Sequence, residues 1–163
     1  MTTNEVWEWI RFACECNGRS DIAGRIRLEW SNRLTSSMGN ASKKAINDYY
    51  VIRLSIKLFA RASDEERRQT VIHEACHVID GIVNNTRMSH GSGWATCMRR
   101  ADSNPERCHT VSNAGLVKRF VYTCSDGCVE HAVSARMHNS IRRGKNRVCC
   151  KCRARLEYAG RAS

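Results

Sequence analysis

The sequence lacks any long hydrophobic run. No apolar stretch in its 163 residues reaches the ~18 residues that a membrane-crossing helix requires. This absence excludes a helical transmembrane protein, and no membrane partner is expected. Residues 1–12 contain acidic side chains and lack the basic segment, apolar stretch and cleavage site of a secretory signal. We therefore expect an intracellular protein that is not secreted, in the cytoplasm and nucleoid or in the nucleus depending on the host.

Acidic residues are few relative to basic ones. The chain has 27 Lys and Arg against 16 Asp and Glu, which gives a formal net charge of +11. Residues 118–163 alone hold 11 basic and 3 acidic side chains, a net charge of +8. Such a concentrated positive field attracts polyanions. Nucleic acid is the first candidate partner, ahead of an anionic membrane surface or an acidic protein, whereas a merely solubilising face is the simpler alternative.

Hydrophobic periodicity predicts an α+β fold with a modest core. Apolar residues make up 42% of the chain and charged residues 26%, which is inconsistent with a disordered tail. Residues 35–48 are rich in turn-forming residues, among them Gly39, and are predicted to be a turn-rich connection. Helices are predicted over residues 4–16, 64–83 and 93–102, and strands over residues 24–34 and 49–59.

The composition changes near the single proline. Asn104-Pro105 ends the last predicted helix. Beyond it, residues 106–117 have the composition of a linker, and the segment that follows combines short strand patterns, cysteine pairs and arginine. We therefore predict one domain over residues 1–105 and a second, basic domain over residues 118–163.

The helix predicted over residues 64–83 carries an HExxH motif. Ser63 and Glu66 form a capping-box pattern at its start, and His73-Glu74-Ala75-Cys76-His77 follows in its second half. Residues four apart share one face of a helix, so both imidazoles can reach one metal ion. Glu74 then faces the open side of that ion, where it can take a proton from the attacking water and return it to the leaving amine.

A catalytic zinc site needs a third protein ligand. The metzincin extension of the motif fails here, because Asp80 stands where that extension has glycine. Residues 75–105 contain no glutamate, which leaves Glu106 as a distant possibility. His90, 13 residues after His77 and just beyond the helix end, is therefore the predicted third ligand.

The cysteines form a second pattern. Ten cysteines in a chain that is not expected to be secreted favour metal binding over disulfides. Cys124-x3-Cys128 and Cys149-x2-Cys152 are separated by 20 residues, a spacing typical of a structural four-thiolate zinc site. Cys150 could replace Cys149. Four closed thiolates leave no open position, so this zinc would fold the segment rather than catalyse.

The remaining cysteines and two histidines have no clear metal-ligand spacing. Cys76 points away from His77 and is predicted to be a small buried hydrophobe. His131 and His138 are predicted to be exposed spare donors. Cys14, Cys16, Cys97 and Cys108 are predicted to be buried or incidental.

Basic residues surround the second cysteine pair and predict DNA binding through phosphate contacts, with strong salt dependence and little sequence preference. Phe120 and Tyr122 could stack on unpaired bases, but roles in a strand core fit better. The predicted phosphate-contacting residues are Arg136, Arg142, Arg143, Lys145, Arg147, Lys151, Arg153 and Arg155.

His73-Glu74-Ala75-Cys76-His77 followed by His90-Gly91-x-x-Trp94 resembles the SprT-like zinc metalloprotease family. The resemblance covers roughly residues 5–158. It includes Gly24-Arg25-Ile26-Arg27-Leu28, Trp30-Ser31, Arg33-Leu34-Thr35, residues 52–58 and 83–85, and the zinc-ribbon residues Phe120-Val121-Tyr122, Cys124, Arg142-Arg143, Cys149 and Cys152.

The resemblance implies a small zincin-type domain, with helices packed on a short sheet, followed by a zinc ribbon. It implies one catalytic zinc on His73, His77 and His90, Glu74 as the catalytic base, one structural zinc, and cleavage of proteins bound or crosslinked to DNA. The sequence shows no tail with clamp- or ubiquitin-binding motifs, so recruitment by those partners is not expected. Two alternatives remain: a non-proteolytic DNA-binding protein with a zincin scaffold, and a general peptidase whose ribbon binds RNA or acidic protein.

Overall fold

The computed structural model describes residues 2–44, 49–85, 87–105 and 111–161. Helices and strands are mixed along the chain, which confirms the predicted α+β class. Within these described ranges, no helix combines the length and apolar character needed to cross a membrane.

The chain divides into two compact units, Met1–Asn113 and Ala114–Ser163. The first unit contains the HExxH motif and the second contains the paired cysteines. Residues 106–110 of the predicted linker lie outside the described residues, as do Glu106 and Cys108. The domain limits proposed from the sequence remain predictions.

In the described residues, the first unit contains four α-helices, one 3-10 helix and a three-stranded sheet. In the sheet order β1-β3-β2, β1 pairs parallel to β3 and β2 pairs antiparallel to it. A 3-10 helix at Ser20–Arg25 precedes β1, so this strand is shorter than the predicted 24–34. The elements are α1 (Thr3–Cys16), β1 (Ile26–Ser31), β2 (Gly39–Lys44), β3 (Tyr49–Ser55), α2 (Ile56–Phe59), α3 (Asp64–Val83) and α4 (Ser92–Arg100).

The central strand β3 is buried on both faces. Val51, Ile52 and Leu54 are all fully buried, as expected for a strand with neighbours on both sides in the sheet. The strand also ends earlier than predicted, because the Ser55 hydroxyl accepts a hydrogen bond from the Leu58 N–H at 3.1 Å and begins α2. Ile56, predicted to be a core strand residue, is exposed.

The prediction of a turn-rich connection over residues 35–48 was wrong for β2. This strand pairs with β3 from Gly39 opposite Leu54 to Lys44 opposite Tyr49. Its sequence, GNASKK, carries no apolar alternation because it is an edge strand with small and polar side chains. Its extended conformation follows from the hydrogen bonds of its neighbour rather than from its own pattern.

Helix α3 has the limits that the sequence predicted. The Ser63 hydroxyl accepts the Glu66 N–H at 3.2 Å, and the Glu66 carboxylate accepts the Ser63 N–H at 2.9 Å, which completes the capping box. Acidic residues in its first turn also complement the positive end of the helix dipole. Helix α3 packs against α1, α4 and β2, and this position places its histidines at the edge of the core.

The described part of the second unit is a small three-stranded sheet with one helix. It contains β4 (Arg119–Cys124), β5 (Glu130–Ser134), α5 (Ala135–Arg142) and β6 (Leu156–Arg161), in the sheet order β5-β4-β6 with antiparallel pairs. Its buried core consists of six residues: Phe120, Tyr122, Cys124, Val133, Cys149 and Leu156. A core of this size needs additional stabilisation.

His138 contradicts the prediction that it is exposed. It lies on α5, which the sequence did not predict, and its ring stacks on Phe120 with centroids 3.8 Å apart. The Tyr122 hydroxyl forms a 3.0 Å hydrogen bond with its Nδ1 atom. The burial of Phe120 and Tyr122 confirms their predicted place in a strand core.

Candidate active site and metal centres

Three imidazoles, two of them from helix α3, meet at the edge of the core. The Nε2 atoms of His73 and His77 lie 3.2 Å apart, and those of His73 and His90 lie 3.0 Å apart. All three side chains offer a ring nitrogen within 4.8 Å of the others. The helical spacing positions the first two, and the segment between α3 and α4 supplies the third.

The donor set fits a single metal ion. Tetrahedral zinc with Zn–N distances of about 2.0–2.1 Å places its nitrogen ligands about 3.3 Å apart, close to the separations between these rings. Burial, followed by the neighbouring His90, lowers the pKa of His77 to about 4, while Asp80 acts in the opposite direction. His77 is therefore neutral at physiological pH, the form in which imidazole binds metals.

Trp94 forms a wall of this site. Its indole N–H donates to the His73 carbonyl oxygen at 3.3 Å. Its ring stacks on His77 with centroids 5.5 Å apart and meets His90 edge-on at 4.6 Å. The sequence singled out Trp94 only as part of the motif that follows the third histidine, so its packing against the three rings was not predicted.

Glu74 points into the same cleft and is only 6% exposed. Burial raises the pKa of its carboxyl group to about 8, while a hydrogen bond from the Ala41 backbone of β2 acts in the opposite direction. A cation held by the adjacent imidazoles favours the ionised carboxylate. The side chain is therefore fixed by strand β2, an element that the sequence did not predict.

Gly39 gives Glu74 the room that it occupies. A Cβ atom on Gly39 would lie 2.8 Å from Cγ of Glu74 and 3.0 Å from its Oε1. Any larger residue at this position must displace the carboxylate or the strand. The sequence predicted this glycine only as a turn residue, so its close approach to the Glu74 side chain was missed.

Gly39→Ala should lower kcat of the proteolysis that the sequence predicts by about 10- to 100-fold, because a displacement of about 1 Å in a catalytic group has effects of this order. Metal content should stay unchanged, since no imidazole is touched. Gly24→Ala is the matched control, because a Cβ on Gly24 meets nothing within 4 Å. Steady-state kinetics and metal analysis on both variants test this, and wild-type kcat in Gly39→Ala would show that Glu74 tolerates the crowding.

The three histidines and Glu74 line a cavity of about 540 Å³, a size typical of ligand-binding clefts. Strand β2 lies along one wall, and methionine side chains contribute apolar surface. The other lining residues include Met38, Met88, Met98, Gln69 and Asn104. A proton acceptor that shares an open cleft with three nitrogens able to hold a metal ion fits the chemistry of metal-assisted hydrolysis.

The second unit brings four sulfur atoms together. The Sγ atom of Cys128 lies 3.1 Å from that of Cys124, 3.5 Å from that of Cys149 and 3.4 Å from that of Cys152, and all four lie within 4.8 Å of one another. Zinc–sulfur distances of about 2.3 Å set thiolate ligands about 3.8 Å apart. The group therefore fits one tetrahedral ion. Cys150 is exposed and is not part of this group.

Backbone N–H groups favour the thiolate form of Cys149. Hydrogen bonds from the backbone of Cys152 and Lys151, together with the His131 ring, lower the pKa of Cys149 to about 5. The Nε2 atom of His131 lies 3.3 Å from the Cys149 sulfur. His131 is therefore half-buried beside the group rather than an exposed spare donor, contrary to the prediction.

The basic residues predicted to contact phosphate all lie on the surface of the second unit. Each of the eight is exposed, and none forms an ion pair with another described residue. Tyr158 of β6 is also 53% exposed. An exposed ring can stack on a nucleobase, and no feature of the sequence around Tyr158 indicates this exposure.

The other described cysteines of the first unit are buried or partly buried. Cys76 is fully buried, as predicted for a small hydrophobe. Cys14 and Cys97 are buried and Cys16 is partly buried, and none belongs to either group of candidate ligands.

Comparison with known proteins matches the SprT-like family to residues 10–113, a segment that contains all three histidines and Glu74. Protein SprT of Pseudomonas putida (strain W619) is 30% identical over 113 residues, which cover 68% of this chain and 69% of that protein. The SprT proteins of Pseudomonas fluorescens (strain Pf0-1) and Pseudomonas savastanoi pv. phaseolicola (strain 1448A / Race 6) are 30% and 29% identical over the same length and shares. The chain belongs to the SprT-like family.

Proposed function

We propose that this protein is a zinc metalloendopeptidase of the zincin type that depends on DNA and cleaves proteins bound or crosslinked to DNA. The observation that carries this proposal is the buried carboxylate of Glu74 in the same cleft as three converging imidazoles. Family membership is consistent with a metalloprotease.

His73, His77 and His90 would hold the catalytic zinc through their Nε2 atoms. A zinc ion bound there supplies Lewis acidity, which polarises the scissile carbonyl and makes a water molecule more acidic. Trp94 keeps the three rings packed against one another and excludes solvent from their apolar side.

Glu74 moves the proton. Its carboxylate accepts a proton from the attacking water and then donates it to the nitrogen of the leaving amine as the peptide bond breaks. The Ala41 hydrogen bond holds the carboxylate in place, and the space above Gly39 lets it lie against β2. A fixed orientation reduces the reorganisation that the transition state requires.

Cys124, Cys128, Cys149 and Cys152 would hold a second, structural zinc ion. Their sulfurs leave no position for substrate, and the small core around them gains its stability from the metal.

The second unit would bind DNA through its exposed basic side chains. Contacts to phosphate carry no sequence information, so binding should show little sequence preference and depend strongly on salt. Because both units belong to one chain, DNA held by the second unit raises the concentration of DNA-bound proteins around the first.

Cleavage of a DNA-binding protein should therefore be at least about 10-fold faster with DNA than without it, through the increase in effective concentration. This stimulation should be largely lost between about 50 and 200 mM salt, where six to ten phosphate contacts lose about 10³- to 10⁵-fold in affinity. The measurement is a gel-based cleavage assay with and without DNA at both salt concentrations. Equal rates in all four conditions would contradict DNA dependence.

Competition separates DNA from the alternative ligands of the basic surface. RNA or polyglutamate added to the same assay should displace the protein from DNA less effectively than unlabelled DNA does. Stronger inhibition by RNA or polyglutamate would favour a general peptidase that binds one of those polyanions.

A further inference from the structure

A buried acidic residue lies beside the candidate metal site without any part in the proton transfers proposed above. Asp80 follows His77 by three residues on α3 and is only 4% exposed. Residues three apart on a helix are neighbours on one face. A carboxylate is rarely buried to this extent without polar or charged partners.

The partners of Asp80 come from both sides of the loop that carries His90. The Asn84 side-chain amide, just past the end of α3, donates to Oδ1 of Asp80 at 2.6 Å. The same oxygen faces Gly93 in the first turn of α4, where a Cβ atom would lie 2.0 Å from it and 2.7 Å from the Asn84 amide nitrogen. Only glycine leaves the room that this three-way contact requires.

A negative charge from outside α4 stabilises the first turn of this helix. Its N-cap, Gly91, has no side chain and makes no side-chain cap, and the first N–H groups of a helix carry a partial positive charge. Asp80 places a buried negative charge from α3 against this turn. The carboxylate therefore joins the end of one helix to the start of the next.

We propose that Asp80, Asn84 and Gly93 form a clamp that positions His90 against the two histidines of α3. This inference rests on the metal site of the proposed function. His90 lies two residues before the first residue of α4, and Asp80 lies three residues after His77. A contact that fixes the start of α4 to α3 therefore fixes the spacing of all three imidazoles.

The charge of Asp80 acts in the same direction, because a buried carboxylate three residues from His77 on α3 favours a cation held between the imidazoles. Asp80 is thus a positioning residue for the site and is not itself a metal ligand.

The test uses Co²⁺ as a spectroscopic probe of the full-length protein, with the four-cysteine site loaded with zinc beforehand. Asp80→Asn and Gly93→Ala should each weaken Co²⁺ binding at the histidine site by about 10- to 100-fold, the usual effect of losing a group that orients metal ligands. The visible absorption of bound Co²⁺ should also change, because the geometry of the three imidazoles relaxes.

Two controls separate positioning from general stability. Ile10→Val removes a methylene from a fully buried position on α1 and lowers the melting temperature, but it should leave Co²⁺ affinity and spectrum unchanged. Gly91→Ala adds a methyl group beside His90 that meets only the Ser89 hydroxyl at 3.6 Å, and it should also bind Co²⁺ normally.

Wild-type Co²⁺ affinity and absorption in Gly93→Ala and Asp80→Asn would overturn the clamp while leaving the metal site intact. If Asp80→Asn does not fold, Gly93→Ala and Asn84→Ala decide the question by the same readout. Failure of the wild-type protein to bind Co²⁺ at the histidines would instead overturn the metal site and the clamp together.

Discussion

Proteolysis by the Glu74→Gln variant should be about 100- to 10,000-fold slower than by the wild-type protein, the usual contribution of a general base. Glutamine has the same shape and can still accept the hydrogen bond from the Ala41 backbone. It cannot take a proton from water. Since burial disfavours the charged carboxylate of Glu74, the neutral amide should not lower the stability of the fold.

The measurement is kcat/KM on a DNA-bound protein substrate, together with the metal content of each preparation. Glu65→Gln is a matched control, because Glu65 lines the same cavity but belongs to the first turn of α3. Its rate should stay within about twofold of wild type, as for most surface substitutions. A fully metallated Glu74→Gln variant with more than about one tenth of the wild-type rate would exclude Glu74 as the base.

Cys152→Ala should unfold the second unit and abolish DNA binding while the first unit keeps its structure and its metal. The core of the second unit has six buried residues, and structural zinc contributes about 10–16 kcal/mol of apparent binding free energy in comparable small domains. Losing one of four thiolates removes most of this stabilisation. Metal content should fall from two ions per chain to one, and DNA affinity by at least about 100-fold.

His90→Ala should show the reciprocal result, with one metal ion lost and DNA affinity retained. Cys150→Ala should keep both metal ions, because Cys150 is exposed and lies outside the sulfur group. Elemental analysis and fluorescence anisotropy with labelled DNA measure both quantities. Two ions per chain in Cys152→Ala, or unchanged DNA affinity, would contradict the structural role of the cysteines.

The features that the sequence predicted correctly are local. The capping box of Ser63 and Glu66 and the apolar pattern after it gave α3 both its ends, because a helix is specified by residues three and four positions apart. The same spacing placed His73 and His77 on one face. His90 followed from elimination of other donors, and the structure places its ring beside that of His73.

The features that were missed depend on distant partners. Strand β2 has no apolar pattern and exists because β3 offers it hydrogen bonds. Gly39 lies 35 positions before Glu74 in the chain, so their close approach leaves no signal in local spacing. His138 is buried because α5 places its ring on that of Phe120. The sequence pattern of this small basic unit does not predict such a contact.

The choice between Cys149 and Cys150 shows the same limit. The side chains of two adjacent residues point in different directions, but their spacing from Cys152 is almost the same. The sequence therefore left either cysteine possible as the ligand. In the structure, Cys149 accepts the Lys151 N–H through its sulfur at 3.4 Å and lies in the core, whereas Cys150 faces solvent.

The pairing of β6 with β4 in the second unit has a consequence for biosynthesis. The described helices and strands of the first unit all precede residue 101, whereas the second sheet is incomplete until Leu156–Arg161 has emerged from the ribosome. At synthesis rates of about 5–20 residues per second, these roughly 60 residues take about 3–12 seconds. The nascent chain should therefore form the cleft around Glu74 before it forms the sheet that carries the four-cysteine group.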